Sequence, residues 1–273
     1  MALLFLAPSI VLFAVFFFFP FEQLVLRGLY RNNAQGTNLR YVGWEQYKDV
    51  LTGDEFTDGL WHSVQYVLFT VPAGLVLGTL LAVAAHRKLR GIRIYQTIFS
   101  STVATSVAVA SVLFFVLLNS QNGVFKVNWL NDPDLALWGV SLSSVWQNLG
   151  LSFIIVLAGL QTVPTELMEA ATLDGYGPIR RFFRVTLPLI SPVLLFLIVI
   201  LVVFALQAFA QIELISRGGP AGASETLVYK IFQRQTPDRL GEGSVMAVGL
   251  FGVTFVVTLA QFFILDRRVH YGE

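Results

Sequence analysis

Stretches free of Asp, Glu, Lys, Arg and His divide the chain into six apolar blocks, at residues 1–21, 63–85, 94–125, 135–165, 185–212 and 243–265. A helix needs about 20 predominantly apolar residues to cross a bilayer core, and each block is long enough. Polar residues collect between the blocks, whereas a helix resting on a soluble core carries them along one side. The pattern predicts an all-α membrane protein with six transmembrane helices. With no repeat of solenoid length and no linker run, 1–273 reads as a single transmembrane domain.

The first block has no basic leader, and Glu22 follows Pro20-Phe21 where a cleaved signal would place small residues, so it reads as a retained span. With no polar leader before it, the chain reads as starting after a trimmed cytoplasmic tail. Lys and Arg set the orientation. Arg87, Lys88, Arg90 and Arg93 crowd the short link between blocks two and three, Arg180, Arg181 and Arg184 lie between four and five, and Arg267-Arg268 follow six. These links share one face, which is assigned to the cytoplasm of a multi-pass cell-membrane protein. The opposite links are longer, and acids dilute their basic residues. Trp44, Tyr47, Trp61, Trp129 and Trp138 fall near the outer ends of blocks, where amphipathic rings anchor at headgroup level.

Composition agrees with a lipid-embedded chain: 55% hydrophobic against 13% charged, where soluble proteins carry roughly 25% charged residues. A net charge of +1 with no basic stripe excludes nucleic acid as a partner. The absence of cysteine excludes disulfides and Cys-ligated zinc. No Gly-x-x-x-x-Gly-Lys-[Ser/Thr] loop occurs, and Asp174-Gly-Tyr-Gly177 lacks both the lysine and the preceding strand, so ATP and its Mg must bind on another chain. His62, His86 and His270 lie near different block ends without metal-ligand spacing. No nucleophile elbow and no carboxylate pair within a block is present, so no catalysis and no cofactor are expected on this chain.

The stretch 162–188 between blocks four and five is punctuated as two short helices joined at a bend. Pro164 suits a first helical position, and Glu166 and Glu169 complement the dipole of the opening turns. Gly175 can take the left-handed conformation that ends a helix, and Pro178 can open the next. The first helix places Leu167, Ala170, Ala171 and Asp174 on one side, where small alanines admit a close neighbour. On these grounds the stretch is either a docking element or a plain connector.

Glu169-Ala170-Ala171, then Asp174-Gly175, then Leu187-Pro188 resemble the EAA motif of ABC-importer permeases in spacing and in position along the chain. Tyr41-Val-Gly-Trp-Glu-Gln-Tyr47, Gly218-Gly-Pro220 and Thr226-Leu-Val-Tyr229 extend the resemblance to the binding-protein-dependent carbohydrate permeases of MalF/UgpA-like type. Gly177-Pro-Ile-Arg-Arg-Phe-Phe183 and Tyr229-Lys-Ile231 are similar to the branch serving glycerol 3-phosphate and glycerophosphodiesters. The resemblance implies a type I importer permease that works with a second permease subunit, two ATP-binding subunits and an extracytoplasmic solute-binding lipoprotein or periplasmic protein. It also implies that 162–188 is a coupling loop, with Glu169, Ala170, Ala171, Asp174 and Gly175 meeting the ATPase. Tyr176-Gly177 departs from the usual pattern, as does Gln207 where that branch often has Asp.

Polar residues within spans are costly unless they face a cavity or a partner helix, which makes them candidates for a solute path. These are Gln207 and Gln211, one turn apart in block five, and Gln147-Asn148 in block four, with Ser106, Ser111 and Asn119 in block three. Each could equally bond helix to helix. Arg217, beside Gly218-Gly219, is either a positive contact for an anionic phosphodiester at the outer mouth or an interfacial anchor. The cargo is left among glycerol 3-phosphate, glycerophosphodiesters such as glycerophosphocholine, and a di- or oligosaccharide. An ion-coupled transporter would carry a charge in mid-span, and an intramembrane enzyme would carry nucleophile and acid/base groups; the blocks hold neither.

Overall fold

The computed structural model describes residues 2–33, 39–86, 90–121, 123–125 and 127–265. Arg87, Lys88, Arg267, Arg268 and His270 lie outside this set. The chain begins with α1 (Ala2–Phe13), a π-helical turn (Ala14–Phe18) and α2 (Phe19–Arg27). Two short strands follow, β1 (Tyr30–Asn32) and β2 (Leu39–Tyr41), then α3 (Glu45–Leu51) and α4 (Asp54–Ala85). Next come α5 (Ile92–Ser100), a 3-10 turn (Ser101–Ala104), α6 (Val107–Leu118) and α7 (Pro133–Gln161). The loop after α7 holds α8 (Thr165–Leu173), α9 (Pro178–Arg181), a second π-helical turn (Phe182–Thr186) and α10 (Leu187–Leu189). The chain continues through α11 (Ser191–Leu206), α12 (Ala210–Ile215), α13 (Leu227–Gln233) and α14 (Leu240–Leu265).

Four helical stretches are long and apolar enough to cross a membrane: Phe5–Arg27, Asp54–Ala85, Pro133–Gln161 and Leu240–Ile264. The third and fifth apolar blocks are not straight spans. Helices Ile92–Ala104 and Val107–Leu118 meet at 101°, and Pro178–Leu189 and Ser191–Leu206 meet at 72°. The six-span reading therefore holds only if each bent pair is one span. In block three the helix stops at extended Thr105 and restarts behind Ser106, whose hydroxyl accepts from Val109 N–H at 3.3 Å. In block five Pro192 has no N–H for the carbonyl of Pro188, and Ser191 Oγ donates to that carbonyl instead at 2.6 Å. Block five breaks again at Gln207–Phe209 before α12.

The chain divides into two compact units, Met1–Trp61 with Thr226–Val253 and His62–Glu225 with Thr254–Glu273. In the first, β1 and β2 pair antiparallel, Tyr30 opposite Tyr41, a hairpin that the all-helical reading did not contain. Its core is Phe56, Leu227 and Met246, flanked by Val50, Leu51, Leu60, Ile231 and Leu250. The Tyr41–Tyr47 segment is structural here: Tyr47 is buried and its hydroxyl donates to Val25 O at 2.9 Å, while Gln46 Nε2 donates to Tyr30 O at 3.3 Å. Burial raises the Tyr47 phenol above its ordinary value. Arg234, only 4% exposed, is ion-paired with Glu55, which also holds Arg239 at 3.4 Å; Arg239 Nε donates to Glu242 at 3.1 Å. Burial and the nearby Arg239 lower the guanidinium pKa of Arg234, against the opposing pull of Glu242.

In the second unit, α7 is the central helix. Its fully buried positions include Val140, Phe153 and Val156, and α5, α6, α11 and α12 all pack on it. Small residues permit the close approaches that membrane helices favour. A Cβ on Gly150 would meet Val103 Cγ2 at 2.9 Å, and the N–H of Gly150 donates to Thr102 Oγ1 at 2.9 Å, holding the 3-10 turn against α7. Trp138 stacks on Phe69 with ring centroids 3.5 Å apart, so this tryptophan packs between helices as well as standing near a span end.

Candidate functional site

Two features of the second unit are candidates for function, a largely apolar cavity that carries several polar side chains and the α8–α9 loop. The cavity has a volume of about 660 Å³ and forms where the breaks in blocks three and five face α7. Gln147 and Asn148 enter from α7, Gln207 from the break after α11, and Gln211 from α12. Four of the eight path candidates named from sequence, Gln147, Asn148, Gln207 and Gln211, thus line one cavity. Arg217 does not line it; it is exposed, with a positive φ of 51°.

The amides differ in what they are committed to. Gln147 Nε2 donates to Thr105 O at 3.2 Å, taking up a carbonyl that the broken helix leaves without its usual partner. Among the described residues, the side chains of Asn148, Gln207 and Gln211 make no hydrogen bond to protein. Ser144 Oγ is 2.6 Å from Tyr66 OH, and Thr70 Oγ1 donates to Tyr66 O at 2.7 Å, so these two polar lining atoms are already occupied. Phe204 and Phe209 supply flat apolar walls, and none of the described lining residues is charged. Such a chamber suits a solute that offers hydroxyls to amides and C–H faces to rings.

Sequence reasoning did not select Ser144, Thr70, Phe204 or Phe209. The phenylalanines are lost among 24 of that residue, most of them in apolar blocks. Ser106, Ser111 and Asn119 have local roles: Ser106 caps α6, Ser111 Oγ donates to Val107 O at 2.8 Å, and Asn119 Oδ1 accepts from Gln121 N–H at 2.9 Å.

The loop folds as its punctuation indicates. Gly175 has φ of 76°, Tyr176 N–H donates to Ala171 O at 3.0 Å, and Gly175 N–H donates to Thr172 O at 3.1 Å. These are the paired bonds of a helix ended by a left-handed residue. Pro178 opens α9, while Pro164 caps α8 one position before its first turn. Glu169, Ala170, Asp174 and Gly175 are exposed, and space is open around a Cβ placed on Gly175. Ala171 faces inward at 5% exposure. Leu173 and Ile179 are 89% and 75% exposed, an apolar pair on a loop that carries charge around it. The Arg180 guanidinium lies 4.4 Å from the ring centroid of Tyr176.

Among the described residues no group of three or more His, Asp or Glu is placed to hold a metal. His62 Nδ1 lies 3.1 Å from Glu225 O, a part-buried contact between distant parts of the chain.

The model of the family described as "Binding-protein-dependent transport system inner membrane component" matches residues 74–271. The chain is 33% identical to the "sn-glycerol-3-phosphate transport system permease protein UgpA" of Agrobacterium fabrum, over 98% of this chain and 96% of that one. It is 32% identical to the protein of the same name from Escherichia coli O157:H7, over 98% and 95%. Among solved structures, a chain of a bacterial ABC transporter involved in import of the acidic polysaccharide alginate aligns with a TM-score of 0.82 at 20% identity, covering 96% of this chain and 94% of that one.

Proposed function

Because this chain belongs to the family of inner membrane components of binding-protein-dependent transport systems, we propose that it imports glycerol 3-phosphate or a glycerophosphodiester such as glycerophosphocholine. It is a multi-pass ABC-importer permease and not an enzyme; ATP hydrolysis belongs to separate chains. The observation that carries the substrate assignment is the 33% identity, over nearly the full length of both chains, to a permease named for glycerol 3-phosphate.

In this reading the whole chain is one permease domain that pairs with a second permease subunit, two ATP-binding subunits and an extracytoplasmic solute-binding protein. The basic links, including Arg90, Arg93, Arg180, Arg181 and Arg184, face the cytoplasm. Arg93 and Gln161 line the same surface depression, which supports a common side for the α4–α5 link and the root of the α8 loop. Glu169, Ala170, Leu173, Asp174 and Gly175 meet the ATPase, with Ala171 packed beneath them. Closure of the ATPase pair on ATP displaces α8, the cavity opens outward to receive solute, and hydrolysis resets it inward. Gln147, Asn148, Gln207 and Gln211 line the solute path; Arg217 stands outside the cavity as a contact at the mouth.

A second reading, import of a di- or oligosaccharide through the same machinery, is favoured by one observation: the described lining residues carry amides and aromatic rings, and among them there is no cation for a phosphate. The test is solute binding to the cognate receptor, followed by ATP-dependent uptake in vesicles holding the full complex. Saturable uptake of glycerol 3-phosphate or glycerophosphocholine supports the first reading; uptake of an oligosaccharide alone replaces it with the second.

A further inference from the structure

The loop after α7 carries contacts that docking does not use. On α8, Met168 and Thr172 are four residues apart and therefore share a face. Opposite them, Arg181 Nη1 donates to Thr172 Oγ1 at 2.7 Å, Thr172 Oγ1 donates onward to Met168 O at 2.8 Å, and Thr186 Oγ1 lies 3.6 Å from Met168 Sδ. Two points on α8 are thus tied to two points on the segment that leads into α11.

Arg181 and Thr186 are five residues apart, and in an α-helix, at 3.6 residues per turn, they would point about 140° away from each other. The segment between them is π-helical, with Leu187 N–H donating to Phe182 O, five residues back. A turn closed over five residues brings Arg181 and Thr186 toward the same side, where both meet α8. Thr186 is buried and meets half-buried Met168, whereas the Arg181–Thr172 bond lies at the exposed edge of the loop. A few residues on, the helix bends by 72° between Leu189 and Ser191.

We propose that the π-helical turn Phe182–Thr186 is a latch that fastens α8 to the root of the fifth apolar block, with Arg181 and Thr186 as positioning residues that deliver α8 displacement to the cavity-lining helix α11. The proposal rests on the reading of α8 as the element gripped by the ATPase. The latch adds side-chain ties between α8 and the segment leading into α11 to the backbone link through Gly175 and Gly177, where movement would otherwise be absorbed. With it, α8, α9 and the turn move as one body and the bend near Ile190 is where that body pivots.

The experiment compares uptake per ATP hydrolysed in the reconstituted full complex. Arg181→Ala and Thr186→Val are each expected to lower uptake per ATP by about three- to tenfold, the range that loss of one hydrogen bond accounts for. ATP hydrolysis and copurification of the ATPase subunits stay at the parental level, and Arg181→Lys recovers part of the ratio by keeping a charged donor. An unchanged ratio in both variants, or a parallel loss of ATPase copurification, overturns the latch.

A cross-link covers the case in which those variants fold poorly. The chain has no native cysteine, so Met168→Cys with Thr186→Cys bridged by a short thiol reagent yields one intrachain link, identified by peptide mass. Uptake retained after bridging supports a pair that moves together; arrest on bridging overturns it. Gly175→Asp separates the two levels: if it leaves uptake normal, the docking reading fails and takes the latch with it, whereas if it stops uptake while Arg181→Ala does not, the latch alone fails.

Discussion

Gln147 Nε2 donates to the carbonyl of Thr105 across 3.2 Å, so an amide on α7 holds the place where the third apolar block abandons its helix. Removing that donor leaves a carbonyl within a span without its partner, at a cost of about 1–3 kcal/mol. Gln147→Leu is expected to lower the thermal midpoint of the purified complex, read by loss of monodisperse protein on heating, and to reduce uptake at the same time.

Among the described residues, the side chains of Asn148, Gln207 and Gln211 make no hydrogen bond to protein, so they can be changed with less structural cost. Asn148→Ala, Gln207→Ala and Gln211→Ala are each expected to raise KM for uptake by about three- to tenfold, the value of one hydrogen bond. Thermal stability stays near the parental value. Unaltered uptake kinetics in all three would remove the cavity from the solute path.

At Gly175 a side chain would have to occupy φ of 76°, which costs roughly 1–2 kcal/mol for an L-residue. Gly175→Asp also adds charge to the exposed surface beside Asp174. Transport is expected to fall below detection while the variant still inserts in the membrane, measured by uptake alongside membrane-fraction yield. A bulky replacement at Ala170 should do the same without the backbone strain.

Tyr47 gives a pH dependence. Its phenol is raised above the ordinary 10.0 by burial, so the folded protein holds that proton more tightly than the unfolded chain does. The stability linked to it is intact below pH 10 and is lost as pH climbs from there through the higher folded value. Tyr47→Phe is expected to flatten the alkaline limb of a stability–pH curve, and to lower stability at neutral pH by about 0.5–1.5 kcal/mol through loss of the bond to Val25. An alkaline limb identical in both proteins would contradict this.

The loop after α7 was legible almost residue by residue, because Gly175 and Pro178 act through their own backbones and need no distant partner. The cost of polar groups in lipid singled out Gln147, Asn148, Gln207 and Gln211, a rule that says which residues must find company but not where. Arg217 could be named but not placed, since an Arg near a span end satisfies either role. Counting charge-free residues was blind to the breaks at Thr105 and Ile190, which depend on Ser106 capping and on a missing proline N–H. The Tyr30–Tyr41 hairpin escaped because three-residue strands leave too little alternation to read.

The interruption at Gln207–Phe209 has a further consequence for the resting transporter. Peptide groups released from a helix within a bilayer cannot face acyl chains, and here the turn closes partly on itself, with Gln207 N–H donating to Val203 O at 3.1 Å and Ala208 N–H to Ala205 O at 3.3 Å. If the chamber is the solute path, water is the occupant that the amides of Asn148, Gln207 and Gln211 favour between turnovers. Cargo therefore arrives by exchange with a resident hydration layer, and selectivity is judged against water's own hydrogen bonds.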